Sequence, residues 1–152
     1  MSRFLAGARW AHVRRKFADI LKSLPDYNKR DSLAARGTEY CDKLFALERE
    51  YDSLPTDNDF KARYEVRQEN NNPLMGEFFA WAQSVNGSIT ATPRSCMGKA
   101  LAYALNQRSQ LENVLCDGRL ELSNNRAERS IKPFVIGRKN WLFSNTEGMT
   151  PP

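Results

Sequence analysis

Glu128 is a lone carboxylate in a basic segment. It follows Asn124 and Asn125 and is flanked by Arg126, Arg129 and Lys132, with Arg138 and Lys139 a few residues on. Between Arg119 and Lys139 there are six basic residues against two acidic ones. A carboxylate among cations, on what reads as a short helix, fits a divalent-metal ligand working beside nucleic-acid phosphates. The same spacing also fits a local role. Asn125 is a good cap, and Glu128, three residues later, is placed to reach back to the cap's backbone amide. The two roles are compatible, and spacing alone leaves both open.

Several helices must position that segment. Trp10, Val13, Phe17, Leu21 and Leu24 recur at steps of three and four, one apolar face of a helix that ends before Pro25. Its other faces carry Arg9, His12, Arg14, Arg15 and Lys16. Leu33, Gly37, Tyr40, Leu44, Leu47, Tyr51 and Leu54 then form a seven-residue seam stopped by Pro55. A seam of this kind packs on a partner helix, and the short connection predicts an antiparallel hairpin. Asp57 or Asn58 is expected to cap a third helix through Phe60 and Tyr64, broken by the polar run at residues 69–72 and by Pro73. A fourth turns Leu74, Phe78, Trp81, Ala82 and Val85 inward and closes at Asn86 and Gly87. From about Arg94 the pattern predicts one long helix through Met97, Leu101, Ala104, Leu111 and Leu115, with Arg108 interrupting its seam. The Glu128 helix is expected to start near Asn125 and stop before Pro133. Residues 134–136 and 141–143 flank a glycine-containing link, as a small hairpin or an extended crossing.

Composition narrows the class. The chain has 152 residues, 41% of them hydrophobic and 27% charged, the balance of a single globular domain. No apolar run approaches the roughly 20 residues needed to span a bilayer. The net charge of +5 is concentrated at the ends. Residues 1–30 carry eight Lys or Arg against two acids, whereas residues 31–118 carry nine against thirteen. Such a distribution directs any nucleic acid to the two ends, provided that they converge in space. Cys41, Cys96 and Cys116 are far apart and there is a single histidine, which argues against a structural zinc site. All three thiols are expected to pack as small apolar residues.

Residues 123–143 (SNNRAERSIKPFVIGRKNWLF) resemble the C-terminal signature of bacterial transposases of the insertion-sequence-sixty-six type, an Asp-Asp-Glu recombinase group. Residues 10–17 (WAHVRRKF) resemble a second block of the same family, with Arg9 where the family usually has Cys. Residues 98–107 and 117–121 fall in the same register. The resemblance implies that Glu128 is the third catalytic carboxylate and that Asn124 and Asn125 support it. It implies that Arg126, Arg129, Lys132, Arg138 and Lys139, together with Arg14, Arg15 and Lys16, meet DNA backbone at transposon ends. In the family, DNA is cut and joined by two magnesium ions about 3.5–4 Å apart, held by three carboxylates.

The family's first two aspartates lie upstream of the block at residues 10–17, and residues 1–9 contain no acid. The expectation is therefore a mainly α chain: a single domain, the C-terminal part of a ribonuclease-H-like catalytic domain without its central sheet. Residues 10–116 would be the helical insertion and residues 119–143 the third-carboxylate helix and basic segment. Alone it is expected to bind no magnesium and to have little or no activity. It would be a cytoplasmic bacterial protein that self-associates or pairs with a full-length transposase. The alternative is a non-catalytic helical module that binds DNA or a transposase.

Overall fold

The computed structural model describes residues 3–122, with side chains described from Arg9 onward. Helix α1 (Arg3–Ser23) is followed by the short α2 (Asp26–Lys29) and by α3 (Leu33–Glu50), which ends in a tight turn at Tyr51–Ser53. Helices α4 (Asp57–Val66) and α5 (Asn72–Val85) are joined by a π-helical turn, Arg67–Asn71. A short turn at Ile89–Ala91 leads to α6 (Cys96–Asn106), α7 (Arg108–Leu111) and a last turn, Glu112–Leu115. The fold is mainly α, and the described residues include no strand. The expected Glu128 helix and the hairpin at residues 134–143 lie outside the described residues.

The core follows the sequence periodicity. Trp10, Val13, Phe17 and Leu21 on α1 are buried, as are Tyr40 and Leu44 on α3, Phe78 and Phe79 on α5, and Leu101 and Ala104 on α6. Each large side chain so buried stabilises the fold by about 1.5–3 kcal/mol. The rings meet edge-on or tilted: Phe17 lies 6.2 Å from Phe78, Tyr40 5.6 Å from Phe78, and Phe78 5.0 Å from Phe79. Trp10 donates its indole N–H to the Leu111 carbonyl at 3.0 Å, so the largest core side chain has a polar partner.

Helices α1 and α3 form the expected antiparallel hairpin. Phe17 faces Gly37 and Arg14 faces Asp42, pairings that run in opposite directions along the two helices. Gly37 is required by this approach, because a Cβ there would stand 2.6 Å from the Phe17 ring. Ser32 caps α3 by accepting from the Ala35 amide at 3.0 Å.

Four local expectations are corrected. Neither Asp57 nor Asn58 caps α4. Asn58, Asp59 and Phe60 instead form a left-handed turn with φ of 52°, 54° and 64°, and the residue before α4, Thr56, makes no side-chain cap. Residues 69–72 do not break the helix, because the π-helical turn carries it through. Arg67 and Asn71 point inward there, and Pro73 follows directly, in the first turn of α5. The long helix through residues 94–115 is divided at Gln107, whose backbone leaves the helical range and whose side chain accepts from Arg9. Cys41 is buried as expected, whereas Cys96 and Cys116 are exposed.

Candidate functional site

Helix α4 and the π-helical turn face the chain that leaves the helical unit. Their side chains capture its backbone carbonyls one after another. Arg63 Nε donates to the Gly118 carbonyl at 2.7 Å. Arg67 Nη1 donates to the carbonyls of Val114 at 3.1 Å and Asp117 at 3.4 Å. Gln68 Nε2 donates to the Leu115 carbonyl at 2.6 Å. The backbone itself closes the contact, since a Cβ on Gly118 would stand 2.2 Å from the Phe60 carbonyl oxygen. The left-handed turn at residues 58–60 thus presents that carbonyl to a residue that must be glycine.

A buried polar network holds Arg67 in place. Glu48 accepts from Arg67 Nε at 2.9 Å and Nη2 at 2.8 Å, a two-pronged pair with both side chains buried. Asn71 donates to Glu48 at 3.3 Å and accepts from the Tyr51 hydroxyl at 2.6 Å. Burial is the main reason the Tyr51 phenol is pushed up from its ordinary value. Burial also lowers Arg63, with the nearby Arg67 charge adding to the effect. Beyond the grip, Asp117 accepts from the Arg119 side chain at 2.7 Å and from its backbone amide at 2.9 Å. Those bonds pull the Asp117 carboxyl down to about 2. Leu122 returns to the core, fully buried.

Of the predicted site residues, Arg14, Arg15 and Lys16 are described. Arg14 is only 8% exposed and pairs with Asp42 at 2.6 Å, so it ties α1 to α3. Arg15 is exposed. Lys16 is half-buried, its ammonium 4.9 Å above the Tyr103 ring. Asn124, Asn125, Arg126, Glu128, Arg129, Lys132, Arg138 and Lys139 lie outside the described residues. Among the described residues no three His, Cys, Asp or Glu side chains group as a metal site, and no helix is long and apolar enough to cross a membrane.

Sequence reasoning passed over Glu48, Arg63, Arg67 and Gln68. No spacing marked Arg67: Phe60 lies in the left-handed turn and Tyr64 is exposed, so their steps of four and three do not define a buried face that includes it.

The described architecture is a helical unit that grips the chain leading into an acid-bearing, strongly basic segment. The pattern that defines the Transposase IS66 family matches residues 5–150, and this chain belongs to that family. It is similar to three uncharacterized proteins of Sinorhizobium fredii (strain NBRC 101917 / NGR234). The protein y4qI is 38% identical over 144 residues, spanning 95% of this chain and 24% of the relative. The proteins y4hP and y4jD are 31% and 30% identical, spanning 90% and 91% of this chain and 25% of each relative. The chain thus spans about a quarter of the length of these relatives. No solved structure matches it.

Proposed function

We propose that this chain supplies the helical unit and the third carboxylate of an Asp-Asp-Glu transposase catalytic domain acting on DNA. The observation that carries the reading is the family match across residues 5–150, which takes in both the gripped segment and Glu128. Glu128 is one magnesium ligand in this reading, with Asn124 and Asn125 ordering the start of its helix. Arg126, Arg129, Lys132, Arg138 and Lys139 meet DNA phosphates, and Arg15 and Lys16 add a second basic face. These contacts carry position rather than sequence, and they weaken as salt rises. Among the described residues no cluster completes the donor set, so in this reading the other two carboxylates come from elsewhere in the family's catalytic domain. In this reading residues 10–116 are the helical insertion and residues 119–143 the carboxylate and basic segment.

The test is a hybrid in which residues 1–152 replace the matching segment of an active full-length family member. Magnesium-dependent cleavage of transposon-end DNA is expected from the hybrid and little or none from residues 1–152 alone. Glu128→Gln should lower hybrid cleavage by at least 100-fold. Cleavage that ignores this substitution overturns the catalytic reading. The exposure of Arg15 motivates a second reading, a DNA-binding module without catalysis. Salt-sensitive duplex binding by the chain that survives Glu128→Gln, in a hybrid that does not cleave, selects it.

A further inference from the structure

We infer that Arg63, Arg67 and Gln68 are positioning residues that fix where the Glu128 segment departs from the helical unit. This inference rests on the catalytic reading above only for its purpose, because the grip itself is visible in the described residues. Three side chains on one helical stretch, at positions i, i+4 and i+5, reach carbonyls at 114, 115, 117 and 118. Side chains that only covered the core would not need to be donors. These are, and each meets main chain, so the grip depends on backbone position rather than on the side chains of the gripped residues.

Two further features show that the contact is built to hold one geometry. Arg67 is itself locked by the two-pronged pair with Glu48, so its remaining donor is aimed before the exit chain arrives. Gly118 leaves no slack against Phe60, so the exit chain cannot slide without opening the left-handed turn. Five residues separate Leu122, the last buried anchor among the described residues, from Glu128. A carboxylate that must join two others within a few tenths of an ångström needs a fixed origin at that distance.

Spin labels test this in residues 1–152. Cys96 is exposed and accepts one label, and Glu121→Cys, just past the grip, accepts the other, in a Cys116→Ser background. Cys41 does not compete, because burial keeps its thiol protonated. A narrow distance distribution is expected for the parent. Gln68→Ala and Arg63→Ala should broaden it at least two-fold while helical circular dichroism and the unfolding midpoint stay close to the parent values. Gln68 is at the half-buried edge of the contact, so Gln68→Ala keeps the test open if Arg63→Ala fails to fold. A distribution unchanged in both overturns the inference, as does broadening accompanied by a matching loss of helix. In the hybrid, Gln68→Ala should lower turnover about ten-fold with DNA affinity held within two-fold. Unchanged turnover despite broadening overturns the link to the site. Failure of the catalytic reading looks different: Glu128→Gln is then silent while the labels still broaden.

Discussion

The two ends of the helical unit are held by opposite kinds of chemistry. Around Phe78 the contacts are between rings, with Trp10, Phe17, Tyr40 and Phe79 within about 6 Å, centroid to centroid. Around Arg67 they are directional bonds among Glu48, Tyr51, Asn71 and the backbone carbonyls of Val114 and Asp117. Ring packing is non-directional and supplies cohesion, whereas the two-pronged ion pair and its hydrogen bonds are directional. The aromatic end holds the unit together, and the polar end determines where the chain leaves it.

That contrast can be broken from either side. Phe78→Ala should cost about 3–5 kcal/mol, because it removes a fully buried ring from contact with several others. Thermal unfolding should report the loss across the whole unit, and no second substitution in the polar network should restore it. Arg67→Met should cost about 3–4 kcal/mol, since it leaves Glu48 charged, buried and without its main partner. Here a second substitution does help. Glu48→Leu combined with Arg67→Met should return most of that stability, and a double-mutant cycle measures the coupling. The same double variant should still broaden the labelled distance, because stability is recovered without the bonds to Val114 and Asp117.

Tyr51→Phe sharpens the comparison at smaller amplitude, about 1 kcal/mol at neutral pH for the bond to Asn71. The phenol is held protonated in the folded state, above its ordinary value of 10.0. Its contribution is therefore complete below pH 10 and is lost as pH rises through the raised folded-state value. Unfolding free energy measured from pH 9 upward should fall less steeply in Tyr51→Phe than in the parent. Equal slopes would remove Tyr51 from the network.

The aromatic end was legible in the sequence and the polar end was not. Leu44, Phe78 and Leu101 each follow a three-and-four spacing, which reports a buried face whatever the partner. The pair of Glu48 and Arg67 carries no such mark, because charges on a helix are read as solvated unless their partner is known. That partner lies nineteen residues away, across a turn. The left-handed residues 58–60 were hidden for a related reason. Asn58 suits a cap as well as that turn, and the turn is the form that meets Gly118, far along the chain. The family resemblance read from residues 10–17 and 123–143 agrees with the family match, yet it did not indicate which side chains hold the exit chain.

The π-helical turn at Arg67–Asn71 acts as a phase key between two helical rods. One residue more than an α-helix would use sets α4 about 100° out of step with α5. Deleting Glu69 or Asn70 from that turn would bring the two rods back into step and rotate Arg63 off the Gly118 carbonyl, with no atom of the grip itself substituted. A working copy of the chain has to keep the length of this turn as well as the identities of Arg67, Gln68 and Asn71 within it.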